Sequence, residues 1–412
     1  MSVHIIGIAG LVAIFVLGTA RGVNLGALAM LFTFVVGTFV VRETPREMYT
    51  GFPVDLFVLL TGVTYLFGIA VQNGTVGWIV RTSVRVAAGR RMLIPWVVFA
   101  LAAAPAMAGA LGSSGVALLA PLAMRVAERC EIDRRMMGLM VVHGAAAGNF
   151  SPLNVLGALV KQALTSRGLE FSTTTLFVAN LVANLLLAGV IVALFRRRAP
   201  FHRTATVVDE EKRSSLTLDQ ICTLIALAAV AIFALGFGLT IGFVAFGAAA
   251  VLHVAFPRSS AGAERHVAWS VVLLVCGVVT YVAALQRYGT IAAAGNAIAG
   301  IGQPLVVALL LCAVGAVTSA FASSAGILGA MIPLAAPFMA REAIGTTGLV
   351  TALSLSTTLV DAAPFSTVGA LVVANAATEE REHVYRGLLV WGLAMVVVAP
   401  VLTWLLFVIP EA

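Results

Sequence analysis

The sequence predicts an all-α integral membrane protein made of two inverted-topology repeats, each with five transmembrane helices and one re-entrant helical hairpin, and with discontinuous helices at the site. Three observations carry this reading. The 412 residues are 61% hydrophobic and only 10% charged, with a mean hydropathy of +1.05, too little polar surface to cover a water-soluble globule of this length. One polar, proline-broken segment is written twice, as PLNVLGALV from Pro152 and PFSTVGALV from Pro364. Finally, the basic residues gather on one side of the topology that the apolar runs define.

The doubled segment matches at five of nine positions, and two further pairs keep its order and spacing. Gly62 and Gly74-Thr75 return as Gly277 and Gly289-Thr290, 215 residues on, and Ser113-Ser114 returns as Ser323-Ser324, 210 on, against 212 for the prolines. So small a drift describes one duplicated unit of roughly two hundred residues. The expected organisation is a first repeat over 1–195, a linker over 196–217 and a second repeat over 218–412.

Crossing a hydrocarbon core of ~30 Å takes ~20 helical residues. Apolar runs of that order occur at about 4–20, 23–41, 53–72, 136–160 and 173–195, then at about 218–237, 239–256, 267–286, 347–374 and 387–408. The first has no basic region before it and no small-residue cleavage motif with a soluble domain behind it, so it reads as a retained helix and not a signal peptide. Residues 75–89 interleave Trp78 and Ile79 with Arg81 and Arg85 at helical spacing, the pattern of an amphipathic helix on the membrane surface. Residues 92–128 are apolar but interrupted at Gly112-Ser113-Ser114-Gly115, which fits a hairpin that enters and leaves by the same face.

With re-entrant hairpins each repeat makes five crossings, an odd number, so the second repeat is inverted relative to the first. Nineteen of the twenty-five Lys and Arg then share one side, and Arg42, Arg46, Lys161, Arg167, Arg287 and Arg341 take the other. The positive-inside rule makes the crowded side cytoplasmic. Both termini are expected outside a cell inner (plasma) membrane, with the charged linker from Arg196 to Ser215 in the cytoplasm. The sequence pI of about 9.7 is therefore orientation information and not the mark of a nucleic-acid partner. Cys130 and Cys222 fall near one face while Cys276 and Cys312 lie inside apolar runs, which gives neither a CxxC pair nor a disulfide set.

Each half has two helix breaks, and broken backbone inside a membrane survives only where it lines a cavity or is buried in protein. The first half has the tip Ser113-Ser114-Gly115 and the break Asn149-Phe150-Ser151-Pro152-Leu153-Asn154. The second has Ser323-Ser324-Ala325 and Asp361-Ala362-Ala363-Pro364-Phe365-Ser366. Pro152 and Pro364 remove a donor and push the preceding residue out of helical geometry, and neighbouring Ser, Asn and Asp side chains cap the freed ends. Up to four half-helix N-termini, each with roughly half a positive charge, then converge near the midplane, an arrangement that suits a small anion.

One such break alone reads as a simple kink; two symmetric pairs read as a site. The expected substrate-binding residues are Ser113, Ser114, Gly115, Asn149, Ser151, Pro152 and Asn154, with Ser323, Ser324, Ala325, Pro364, Ser366 and Thr367. His143 reads as a satisfied buried histidine, and Asp55 and Asp219 as caps at helix starts. Tyr65 and Gln72 are placed to line a cavity. Asp361 is the only carboxylate deep in a span, where acids are costly and usually functional, and Asn149 is its neutral counterpart. No HExxH, GxSxG or phosphate loop occurs, so neither an intramembrane enzyme nor an ATP-driven pump is expected, and no catalytic or metal residues are assigned.

The runs FPVDLFVLLTGVTYLFGIAVQNGT, MMGLMVVHGAAAGNFSPLNVLG, SAFASSAGILGAMIPLAAPF and STTLVDAAPFSTVGALVVANA resemble the malonate and C4-dicarboxylate carriers of the MatC type. These belong to the ion transporter superfamily, with the divalent-anion/sodium symporters. The resemblance covers nearly the whole chain apart from the linker. It implies a dimerising scaffold domain and a transport domain of hairpins and broken helices that moves as an elevator. In the sodium-coupled relatives each tip reads Ser-x3-Ser-Asn-Thr; here the second tip has Ser319 and Ser323 in place but Ser324 and Ala325 for Asn and Thr. The first tip has Gly109 for the leading Ser, then Ser113, Ser114 and Gly115, and the Thr-Pro of relatives' breaks is Ser151-Pro152 and Ala363-Pro364. These departures weigh against sodium coupling, most of all at the first tip.

The expected function is secondary active transport of a small dicarboxylate, malonate or a C4-dicarboxylate, by alternating access in a homodimer. It needs no cofactor beyond sodium or a proton as coupling ion, held by Ser319, Ser323, Asp361 and Asn149. The alternatives are a cation/proton antiporter of the same superfamily and, from another class, an anion channel.

Overall fold

A computed structural model describes residues 3–79, 82, 91–196, 216–237, 239–291, 293, 303–321, 323–339 and 344–411. Among them the chain is helical nearly throughout and contains no strand. Most of the expected surface helix over 75–89 and of the linker over 196–217 lies outside the described residues.

The first half runs through α1 (Val3–Arg21), α2 (Leu25–Val35), α3 (Val54–Gln72), a hairpin of α4 (Ile94–Met107) and α5 (Gly112–Arg129), the broken pair α6 (Arg134–Ala147) and α7 (Val155–Thr165), and α8 (Thr173–Arg196). The second half runs through α9 (Leu218–Phe237), α10 (Ile241–Ala255), α11 (Trp269–Arg287), a hairpin of α12 (Pro304–Ser319) and α13 (Ser324–Met339), the broken pair α14 (Thr346–Thr358) and α15 (Thr367–Ala374), and α16 (Arg381–Thr403). The apolar runs of the sequence and its two interrupted stretches fall on these helices. Val54–Gln72, Thr173–Phe195, Trp269–Arg287, Thr346–Ala374 and Arg381–Glu411 are each long and apolar enough to cross a membrane by length and composition. This is a multi-pass membrane protein.

Local chemistry explains where helices start. Asn24 accepts from the backbone N–H groups of Gly26 and Ala27 at the head of α2. Asp133 accepts from Arg135 at the head of α6, and Pro304 takes the first turn of α12, where no donor is missed.

The halves are joined crosswise. α2 of the first half packs on α11 of the second, and α10 of the second packs on α3 of the first. A Cβ at Gly26 would stand 1.8 Å from Leu273 O and one at Gly277 2.1 Å from Gly26 O; in the other crossing, a Cβ at Gly62 would stand 2.4 Å from Gly242 O. Helix backbones therefore touch directly at both crossings, as they do where small residues, not a hydrophobic drive, hold helices together in lipid. The loops after α3 and α11 reach across in the same way. Asn73 Nδ2 donates to Thr223 Oγ1 of α9 at 2.7 Å, and Thr290 Oγ1 lies 3.2 Å from His4 Nδ1 of α1.

The outer faces are apolar stripes at helical spacing. Val178, Val182, Leu186 and Val190 of α8, and Val390, Leu393 and Val397 of α16, are exposed, which is the pattern of a lipid-facing surface.

Candidate functional site

The segment written twice in the sequence has one geometry in both copies. In each, the residue three before its glycine caps the following short helix: Asn154 Oδ1 accepts from Leu156 N at 2.9 Å, and Ser366 Oγ accepts from Gly369 N at 3.0 Å. In each, the glycine lets that helix turn back over the carbonyl of the residue before the proline. A Cβ at Gly157 would stand 2.8 Å from Ser151 O, and one at Gly369 2.1 Å from Ala363 O. The shared Pro-x-x-x-x-Gly spacing is thus a chain break followed at once by a tightly wound, side-chain-capped restart.

In the second half the break and the hairpin tip meet through side chains. Ser324 Oγ donates to Asp361 Oδ1 and lies 3.0 Å from Ser319 Oγ. Ser366 Oγ donates to the backbone carbonyl of Asp361 at 2.5 Å. Asp361, Ser319, Ser324 and Ser366 are all buried, and the Asp361 carboxylate with the Ser319 and Ser324 hydroxyls forms one buried oxygen cluster. Phe321 stacks on Phe365 with ring centroids 5.5 Å apart, a second tie between tip and break. Ala325 and Pro364 are buried beside this cluster, Ser323 is half-buried and Thr367 is exposed.

The first half closes differently. Ser151 Oγ donates to Met107 O at 2.7 Å, and Asn154 Nδ2 donates to Ala106 O at 2.8 Å and Ala110 O at 3.1 Å. Break and hairpin are therefore joined side chain to backbone, with no acid involved. Asn149 is buried against the start of α5, where a Cβ at Gly112 would lie 3.3 Å from its Oδ1. Ser113 is half-buried in the first turn of α5, Gly115 is buried, and Pro152 is exposed. Ser114 lies in that same turn, but its side chain is outside the described residues.

Gly109, just before the first tip, has a physical reason. Its φ is +105°, and a Cβ there would stand 2.7 Å from Val63 Cγ1 and 2.9 Å from Leu153 O. A serine has neither the conformation nor the room. The two tips are accordingly not equivalent: Ser319 and Ser324 converge on Asp361 at the second, and a glycine turn replaces that arrangement at the first.

Beside the first break, His143 is the satisfied buried histidine that the sequence led us to expect, but its partners escaped that reading. Trp391 Nε1 of α16 donates to His143 Nε2 at 2.9 Å, and His143 Nδ1 lies 2.9 Å from Asn184 Oδ1. An indole N–H only donates and an amide oxygen only accepts, so His143 is the neutral Nδ1–H tautomer with both nitrogens used. Asn184 Nδ2 continues to Asn180 O at 2.9 Å, and Asn180 Nδ2 donates to the carbonyls of Ala146 and Ala147 at 2.8 and 3.1 Å. Those carbonyls end α6 just before the break, so α8 and α16 hold that end in place. The available signal was Asn180 and Asn184, four apart on one face of an otherwise apolar helix. Tyr65 OH lies 2.8 Å from His253 Nδ1, and Gln72 Oε1 lies 3.2 Å from His266 Nε2.

Across the halves, α5 packs on α15 and α13 packs on α7. Each hairpin's outgoing helix thus rests on the helix that follows the other half's break.

Residues 1–149 match the family model described as the dicarboxylate carrier protein MatC N-terminus. No curated protein sequence gives a significant match. Among solved structures, the crystal structure of the Alcanivorax borkumensis YdaH transporter is similar with a TM-score of 0.61, at 16% identity over 87% of this chain and 86% of that one. At that identity the likeness is one of fold. Over residues 1–149 the chain is similar to the MatC dicarboxylate carrier N-terminus, and over nearly its whole length its fold is similar to that of the YdaH transporter.

Proposed function

We propose that the protein is a secondary active carrier of small dicarboxylates, malonate or a C4-dicarboxylate, coupled to a cation and working by elevator-like alternating access in a homodimer. The observation that carries this reading is the pairing of hairpin tip with helix break in each half, one pair built around Asp361 and the other around neutral groups. Helix N-termini at Gly112, Val155, Ser324 and Thr367, with the adjacent hydroxyls, offer N–H and O–H donors to the carboxylates of the substrate. Asp361 would repel a dianion unless a sodium ion or proton arrived first, and this supplies a physical reason for coupling. In this reading the two halves are inverted repeats, the linker over 196–217 is cytoplasmic and both termini lie outside. The crosswise glycine contacts and the charge distribution support it.

The test is uptake of labelled malonate, succinate and citrate into proteoliposomes under imposed sodium or proton gradients. Malonate or succinate should accumulate above its external concentration when the coupling gradient is present. Entry of none of the three under any gradient would reject the proposal. The buried oxygen cluster Ser319–Ser324–Asp361 also suits a cation/proton antiporter; that reading requires cation exchange with no organic substrate in the same vesicles.

A further inference from the structure

A cavity of about 290 Å³ opens between α3, the tip of the first hairpin and the short turn Ala263–His266 that precedes α11. One wall is Thr64, Phe67 and Val71, and another is Ala110 and Leu111, the residues immediately before Gly112 and Ser113. Against these uncharged walls stand Arg265 and His266. Glu264 is on the same turn but does not line the cavity.

The turn is fixed in place. A Cβ at Gly68 would stand 2.6 Å from Ala263 O and 3.0 Å from His266 Cβ, so only glycine lets the turn rest directly on α3. His266 Nε2 lies 3.2 Å from Gln72 Oε1, and Ala268 N donates to Thr64 Oγ1 at 3.4 Å. The fixed turn thereby brings Arg265 and His266 to the lining of a space close to the ~300 Å³ at which small-ligand pockets begin. The space ends on the hairpin tip, where no Lys or Arg is found.

We propose that this cavity is the anion port of the first half of the site: Arg265, assisted by His266, draws a small dicarboxylate dianion onto the Ser113 tip from the side that carries the linker. The proposal rests on the carrier reading and adds to it the one cationic group that the tips and breaks lack. A cleft of one sign with low-dielectric walls focuses its field and raises the local concentration of an opposite charge. Because Arg265 is exposed, that attraction is screened within about 10 Å at 0.1 M salt, so port function must depend on ionic strength.

The experiment is initial-rate uptake by the full chain in proteoliposomes, with malonate and succinate as probes, at low and high ionic strength, for wild type, Arg265→Gln, Arg265→Lys and His266→Gln. Arg265→Gln should raise KM at low salt by roughly tenfold, leave kcat unchanged and flatten the salt dependence. Arg265→Lys should retain most of both, and His266→Gln should fall between. If wild type transports but Arg265→Gln keeps its KM and salt dependence, the port is overturned and the carrier reading stands. If wild type takes up neither probe, the carrier reading fails and the port falls with it.

Discussion

Ser324 Oγ donates its hydrogen bond to Asp361 Oδ1, so the tip of the second hairpin and the second helix break are tied through the only carboxylate among the buried described residues. The corresponding residue in the first half is Asn149, which cannot change charge. Asp361→Asn should therefore preserve folding and substrate exchange while abolishing uptake driven by the ion gradient. Exchange and gradient-driven uptake measured in the same preparation check this, and a variant that still concentrates substrate normally would leave Asp361 only a structural role.

Ser324→Ala removes a donor to a buried charged group, an interaction worth about 1.5–3 kcal/mol. The apparent KM for substrate should rise roughly ten- to a hundredfold, and the dependence on the coupling ion should weaken with it, since Ser319 and Asp361 lose their common partner. Kinetics across a titration of sodium and of pH provide the readout.

Asn154 differs from Ser324 in its partners, which are neutral backbone groups and not the acid. Both of its N–H groups go to carbonyls of the first hairpin and its oxygen caps α7. Asn154→Ala leaves those buried groups without their partner, at about 1–3 kcal/mol for each one left unsatisfied. The expected result is a lowered Tm and reduced yield, with a near-normal KM in the protein that remains. Thermal unfolding in detergent separates this from a direct loss of substrate contact.

Gly109→Ser should inactivate the protein. The site needs φ of +105° and leaves under 3 Å to Val63 and Leu153. Ser319→Gly, at the corresponding place in the second tip, should fold and lose only coupling. Comparing the yields of the two variants tests whether the tips are physically distinct.

In the turn between α5 and α6, burial alone would raise the carboxyl of Asp133, but hydrogen bonds and charge from Arg135, with the backbone N–H groups of Arg135 and Met136, hold it below its ordinary value of 3.8. A depressed folded-state value means that the stabilisation is complete above the unfolded-state value near ~3.9 and is lost as pH falls through the folded-state value. Asp133→Asn keeps a capping oxygen but loses the charge that pairs with Arg135, and should lower Tm at pH 7 by the modest amount of a part-exposed ion pair, about 0.2–1 kcal/mol. Wild type and variant should converge toward the acid end of a pH series.

The breaks were legible because Pro152 and Pro364 stand among Ser, Asn and Asp in two copies of one segment; proline alone was no signal, since Pro105, Pro121 and Pro400 lie inside helices. The repeated glycines were legible as positions but not as contacts, since the partner of Gly62 is Gly242 and that of Gly277 is Gly26, more than 150 residues away in each case. Asn154 looked like a free polar ligand because the carbonyls it serves lie 44 and 48 residues earlier. Arg265 read only as orientation charge, and the packing of its turn on Gly68 is what brings it to the lining of a cavity shared with Ala110 and Leu111. Asn180, Asn184 and Trp391 belong to no motif, and their shared network exists only once α6, α8 and α16 are packed.

Counterflow is the most direct measurement of carrier action. Proteoliposomes preloaded with unlabelled malonate or succinate, then diluted into a trace of the labelled compound, should accumulate label transiently above its external level, because unlabelled substrate inside competes with the entered label for the alternating site. The overshoot should saturate with internal substrate and survive in Asp361→Asn. Label that rises only to equilibrium, at a rate indifferent to the internal load, would mean that the helix ends line a channel and would contradict alternating access.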